Sequence, residues 1–149
     1  MKILIVDDHA MVRQAIADLL ERSRPGAKVI QAAGGAEGLE LARRAPDLDA
    51  TFLDLGLPDA GADGMAWVRA FGRALPALPV IVLTASEDPQ AVREAFSAGA
   101  LGYVPKSATP DTLLFALNLV MRGESFVPSL VMRPAGAGHG ATGWRLTPQ

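Results

Sequence analysis

Ala50-Thr51-Phe52-Leu53-Asp54 decides the fold: a short apolar run that stops on a lone aspartate. A run of this kind, bounded by polar or turn residues, reads as a buried strand. Three more runs share its form. Ile3-Leu4-Ile5-Val6 ends on Asp7-Asp8, Val80-Ile81-Val82-Leu83 ends on Thr84, and Leu101-Gly102-Tyr103-Val104 leads through Pro105 to Lys106. In an open parallel sheet, ligands bind outside the carboxyl ends of the strands. The four runs therefore gather three carboxylates, a hydroxyl and an ammonium at one end of one sheet.

Helical patterns lie between the runs. Ala10 to Arg22 carries Val12, Ile16, Leu19 and Leu20 at helical spacing, and Pro25-Gly26 interrupts the chain after it. Lys28 to Ala32 is a weaker strand. Glu37 to Ala45 reads as a second helix, ended by Pro46. A third is expected from an Asp63 cap through Leu75, and a fourth from Asp88-Pro89 to Ala98, since proline suits the first helical turn. Thr109-Pro110-Asp111 opens the last, which runs to Arg122 before Gly123. Five strand–helix units imply an α/β fold with a parallel sheet and helices on both faces.

The bulk properties narrow the function. The chain has 149 residues, half of them hydrophobic, enough for one domain with a proper core. A net charge of −2 gives this segment no electrostatic reason to bind nucleic acid. The absence of cysteine excludes disulfides and thiolate metal sites. The start, Met1 to Asp8, is not a signal peptide, and no apolar stretch is long enough to span a bilayer. A soluble cytoplasmic protein with no membrane contact is expected. Residues 1–123 form the expected domain and 124–149 an extension. Within the extension, Pro134 to Gly143 has the composition of a flexible linker. Because only six residues follow that linker, a further domain is expected beyond this chain.

Three clustered carboxylates repel one another unless a cation joins them. Hard oxygen ligands with no His or Cys nearby would suit Mg²⁺ or Mn²⁺, and Mg²⁺ keeps several waters and binds a carboxylate or two together with phosphate oxygens. A carboxylate can also attack phosphorus to give an aspartyl phosphate. Phosphoryl transfer asks the protein mainly for positioning and charge neutralisation. Asp54 is the expected nucleophile, Lys106 a neutralising point charge, and Thr84 a hydroxyl donor to a phosphoryl oxygen.

As a set, Val6-Asp7-Asp8-His9, Leu53-Asp54-Leu55-Gly56-Leu57-Pro58, Leu83-Thr84-Ala85 and Gly102-Tyr103-Val104-Pro105-Lys106 resemble the receiver domain of two-component response regulators. The resemblance covers about residues 2 to 122. It implies a flavodoxin-like (βα)5 fold with strand order 2-1-3-4-5. It also implies that Asp54 accepts phosphate from a sensor histidine kinase. Asp8, Asp54 and the backbone carbonyl of Gly56 would bind Mg²⁺, with Asp7 assisting through water. Lys106 would contact the phosphoryl group. Thr84 would swing toward that group and Tyr103 would turn inward, altering the face of the fourth helix, fifth strand and fifth helix. Dimerisation on phosphorylation is a plausible consequence. The chain would be a phosphoacceptor and not an enzyme, beyond any self-catalysed gain and loss of phosphate.

Asp7-Asp8-His9, Leu83-Thr84-Ala85-Ser86 and Gly102 to Ser107 are similar to the NarL/FixJ (LuxR-type) class. Gly123 to Pro128 resembles the segment leaving such receivers, and Leu146-Thr147-Pro148 the opening of their helix-turn-helix domain. DNA would thus be met only through a C-terminal domain absent from this chain. Two departures stand out. Asp59-Ala60-Gly61-Ala62 lengthens the loop between Pro58 and Asp63-Gly64 by about two residues, and is expected to bulge outward. Ser107 follows Lys106 where many receivers have proline, so a trans bond is expected there.

Two other functions fit less well. An aspartate-nucleophile phosphohydrolase would resemble Asp-x-Asp after its first strand, whereas here Asp7 and Asp8 are adjacent. A stand-alone receiver signalling by protein contact would not need the linker. Among further residues, His9 is expected at a helix start beside the acids, His139 in the linker, and Trp67 in the core. Arg13 and Arg93 are expected on solvated helix faces.

Overall fold

The computed structural model describes residues 1–86 and 88–127. The linker, His139 and Leu146-Thr147-Pro148 lie outside the described residues. Ten elements alternate: β1 (Lys2–Val6), α1 (Ala10–Ser23), β2 (Lys28–Ala32), α2 (Gly35–Arg43), β3 (Ala50–Asp54), α3 (Ala66–Ala74), β4 (Val80–Thr84), α4 (Pro89–Ala98), β5 (Gly102–Pro105) and α5 (Pro110–Met121). A single 3₁₀ turn, Pro58–Ala60, interrupts the loop between β3 and α3. The strands are all parallel in order β2-β1-β3-β4-β5, the order the resemblance implies.

Alternation along each strand sorts the core into two layers, because successive side chains point to opposite faces. Ile3 and Ile5 of β1 pack with Phe52, Ile81 and Val104 under α1 and α5. Leu4 and Val6 pack with Leu53, Val82 and Tyr103 under α2, α3 and α4. β3 and β4 are buried throughout, as continuous apolar runs in a doubly covered sheet should be. Their last residues, Asp54 and Thr84, are buried polar groups that belong to the site described below. Thr51, the polar residue inside β3, donates its hydroxyl to the Leu4 carbonyl at 3.1 Å, so its burial leaves no unmet donor.

Several boundaries differ from the sequence expectation for physical reasons. α2 begins at Gly35, two residues early, because Asp59 supplies its cap from elsewhere in the chain: the carboxylate accepts from Gly35 N at 3.0 Å and Ala36 N at 3.1 Å. α3 starts at Ala66, later than expected. Asp63 instead closes a local turn, accepting from Met65 N at 3.0 Å and pairing with Arg69. Asp88 and Thr109 cap α4 and α5 as expected, accepting from Gln90 N and Thr112 N. α4 ends on Gly99 at φ +119°, a conformation that favours glycine.

The chain does not leave the body at the end of α5. Gly123, at φ +83°, reverses it. Phe126 then forms a parallel bridge with Gly102, its amide donating to Leu101 O at 2.9 Å and its carbonyl accepting from Tyr103 N at 3.2 Å. The ring is buried in the layer under α1 and α5. No peptide bond among the described residues is cis, so Lys106–Ser107 is trans.

Candidate functional site

Strand register builds the site. Val6 of β1 pairs with Leu53 of β3, so Asp7 and Asp54 emerge side by side at one edge. Thr84 of β4 pairs with Pro105 of β5, and Lys106 follows, its amide donating to Thr84 O at 2.7 Å. Asp7, Asp54, Thr84 and Lys106, separated by up to 99 positions in the sequence, thus meet at the carboxyl ends of β1, β3, β4 and β5.

Asp7 is fully buried and Asp54 is 4% exposed, an unusual place for two carboxylates. Lys106 Nζ lies 2.9 Å from Asp7 Oδ2 and 3.2 Å from Asp54 Oδ2. Neither Oδ2 atom accepts a well-directed hydrogen bond, so both are held by ion pairing alone. The other oxygens are better satisfied. Asp7 Oδ1 accepts from His9 N at 2.8 Å, and Asp54 Oδ1 accepts from Gly56 N at 3.0 Å. Asp8 is more open, and the His9 ring joins the group: its Nδ1 lies 2.9 Å from Asp7 Oδ1, 3.4 Å from Asp8 Oδ1 and 3.2 Å from Lys106 Nζ.

These surroundings divide the acids. Burial pushes the Asp54 carboxyl up, and the neighbouring Asp7 charge adds to this against the Gly56 amide and Lys106. Burial also acts on Asp7, but the His9 amide and the Lys106 ammonium overcome it and hold that carboxyl below its usual range. Lys106 is pushed down by burial, yet the two acids more than reverse this and hold its ammonium firmly charged. Two buried carboxylates and the more open Asp8 against one ammonium leave an excess of negative charge at the site. Asp7, Asp8, His9 and Asp54 each present a ligand atom within 4.8 Å of the others. Buried oxygens without a directed donor and a set of hard donors fit a divalent cation.

Thr84 is buried at the end of β4, but its hydroxyl is turned away to accept from Ser86 N at 3.0 Å. Tyr103 is already inside: its ring lies in the core and its hydroxyl donates to Ser86 O at 3.0 Å. Both expected switch residues therefore meet at Ser86, in the loop between β4 and α4.

Two residues at the site differ from their sequence expectation. Arg13 is no solvated helix residue. Its Nη1 donates to the Asp7 carbonyl at 2.6 Å and its Nε to Gln31 Oε1 at 3.1 Å, tying the β1–α1 loop to β2. Asp59 is no free bulge residue, since it caps α2 as described above. Its one sequence signal was a carboxylate beside Pro58 in a lengthened loop, which names no partner. Arg93 is exposed as expected, within reach of Gln90.

With this geometry in place, likeness to known proteins identifies the class. The response regulator receiver domain profile matches residues 3–118, and the chain belongs to that family. Within it, the chain is of the NarL/LuxR type. It is 36% identical over 124 residues to the nitrate/nitrite response regulator protein NarP of Escherichia coli, covering 83% of this chain and 56% of that protein. It is 32% identical over 132 residues to the glycerol metabolism activator of Pseudomonas putida, covering 89% of this chain and 59% of that protein. The crystal structure of a LuxR-family two-component response regulator from Aurantimonas sp. SI85-9A1 superposes with a TM-score of 0.75 at 34% identity, covering 83% of this chain and 86% of that one. The chain thus spans somewhat over half the length of these curated relatives. Receiver domains are signalling modules, not turnover enzymes in the usual sense. Among the described residues, no helix is long and apolar enough to cross a membrane.

Proposed function

We propose that Asp54 is the phosphoacceptor of a cytoplasmic two-component response regulator, charged by a sensor histidine kinase. The observation that carries this reading is the pairing of buried Asp54 with Lys106 at 3.2 Å, beside a second buried acid. In the transfer, an Asp54 oxygen forms a bond to phosphorus as the donor's phosphorus–nitrogen bond breaks. The imidazole nitrogen leaves neutral by taking a proton from solvent, since the Asp54 carboxylate has none to give. Lys106 would stay on the new phosphoryl group as a point charge, a reading supported by its ammonium lying 2.9 Å from Asp7 Oδ2.

Asp8, Asp54 and the Gly56 carbonyl would hold Mg²⁺ or Mn²⁺, with Asp7 assisting through water. Bound there, the ion supplies charge neutralisation for the incoming phosphoryl oxygens. For this chain's own residues, Thr84 Oγ1 now accepts from the Ser86 amide, and swinging toward Asp54 to donate its hydroxyl to a phosphoryl oxygen would break that bond. Tyr103, bonded to the same Ser86, would feel that release, and the face of α4, β5 and α5 would change with it. Phosphorylation would then act by shifting populations between two arrangements of that face. A second receiver would be one reader of the face. A helix-turn-helix domain, as the NarL/LuxR class suggests, would be the other, so that full-length output is transcription regulation.

The test is intact-mass analysis after incubation with a small phosphodonor, with and without Mg²⁺, on the wild type and Asp54→Asn. A Mg²⁺-dependent phosphoryl adduct is expected on the wild type alone. An adduct that persists on folded Asp54→Asn would place the acceptor elsewhere.

A further inference from the structure

The lengthened loop after Asp54 bears on the site through a contact far along the chain. Its Asp59 is gripped at both ends. The carboxylate takes the first two amides of α2, Gly35 N at 3.0 Å and Ala36 N at 3.1 Å, and the carbonyl accepts from Trp67 Nε1 of α3 at 3.2 Å. Two glycines permit the approach. A Cβ on Gly35 would stand 2.2 Å from the Trp67 ring, and one on Gly34 would stand 3.2 Å from Asp59 Oδ2. The junction is built from three separate places in the sequence.

Its position matters because only four residues, 55–58, separate Asp59 from Asp54. That arch is pinned at the strand end by Leu55 N donating to Leu83 O at 3.1 Å and by Gly56 N donating to Asp54 Oδ1 at 3.0 Å. Leu57 is buried under it, and Pro58 restricts its backbone. Beyond Asp59, residues Gly61 to Asp63 are exposed, with Gly61 at φ +69°. Without the junction, the arch and the exposed stretch would be one loop from Leu55 to Met65, and longer loops carry more freedom.

We propose that Asp59 and Trp67 are positioning residues for the site: they form a clasp that separates the arch carrying Gly56 from the inserted exposed residues. The inference rests on the reading of Gly56 and Asp54 as metal ligands. The clasp sets how tightly the arch presents those oxygens, so that the insertion leaves metal affinity intact.

The experiment uses this chain with Mg²⁺ alone, by titration calorimetry in 0.5 M salt, where through-space charge effects are largely screened. Wild type, Asp59→Asn, Asp59→Ala and Trp67→Phe are compared. In parallel, amide hydrogen exchange at Gly56 is followed without metal. Asp59→Ala is expected to weaken Mg²⁺ binding about tenfold, the usual scale for removing a group that orients a ligand. Asp59→Asn and Trp67→Phe, which each remove part of the clasp, should fall between. Gly56 exchange should quicken in the same order. Should Asp59→Ala not fold, Trp67→Phe carries the comparison. Wild-type affinity and unchanged Gly56 exchange in a folded but less stable Asp59→Ala would overturn the proposal and leave Asp59 a helix cap. A wild type that binds no Mg²⁺ would overturn the metal reading itself; Gly56 exchange would then still decide the clasp.

Discussion

Lys106 holds an arrangement that electrostatics would otherwise drive apart. Two carboxylates lie almost wholly out of water and face one ammonium at 2.9 and 3.2 Å. Removing one partner of a buried ion pair is costlier than the pair's own net worth, because the other charge is stranded. Lys106→Met is therefore expected to lower unfolding free energy in metal-free buffer by about 3 kcal/mol, read by urea denaturation. Saturating Mg²⁺ should recover part of the loss if a cation enters the same acids. At this scale the sequence was informative about chemistry and silent about alliances. Asp7, Asp8, Asp54, Thr84 and Lys106 were legible because each sits where an apolar run stops. Arg13 was not, since nothing in a helical pattern tells which exposed-face arginine can reach back to the Asp7 carbonyl.

At the scale of elements, α2 shows what a local reading misses. Its N-cap position is Gly34, which has no side chain to cap the helix, and the first-turn Glu37 reaches back only to the Ala33 amide, so the Gly35 and Ala36 amides had no capping partner in their neighbourhood. The cap comes from a residue 24 positions away. Slight burial raises the Asp59 carboxyl, but the Gly35 and Ala36 amides and the Trp67 contact outweigh it and hold it below the usual carboxylate range. A depressed carboxyl contributes stability that is present above its unfolded value and lost as pH falls through its folded value. The urea midpoints of wild type and Asp59→Ala should therefore differ at pH 7 and draw together as pH falls from the usual carboxylate range through the lower folded-state value. A gap that persists unchanged at low pH would mean that the carboxylate's charge plays no part in the cap. Where caps are local, as at Asp88 and Thr109, boundaries were legible to within a residue, because the signal and its effect lie in the same turn.

For the molecule as a whole, the sheet does not end cleanly at β5. Phe126 lies against its edge, 1% exposed, with backbone bonds to Leu101 and Tyr103. The segment leaving the receiver is thus attached to the strand that carries a proposed switch residue. Phe126→Ala is expected to cost about 3 kcal/mol by urea denaturation, as for other large-to-small changes in a packed core. A chain ending at Gly123 should lose at least as much. A cost below about 1 kcal/mol would show that the ring's burial is incidental, at the level of ordinary surface changes.

The sequence by itself determined the sheet, the two core layers and the kinds of group at the site. Hydrophobic periodicity and local turn chemistry are properties of neighbouring residues, and they survive being read along a line. Tertiary structure alone decided that Asp59 caps α2, that Arg13 holds Asp7, that Thr84 and Tyr103 share Ser86, and that Phe126 closes the edge of the sheet. The Asp59, Tyr103 and Phe126 contacts join residues 17 to 24 positions apart, and even the nearer Arg13–Asp7 and Thr84–Ser86 bonds depend on how the packed elements aim their side chains. Their partners are chosen by how the packed elements bring donors and acceptors within 3 Å or so of each other, which no spacing in the chain encodes.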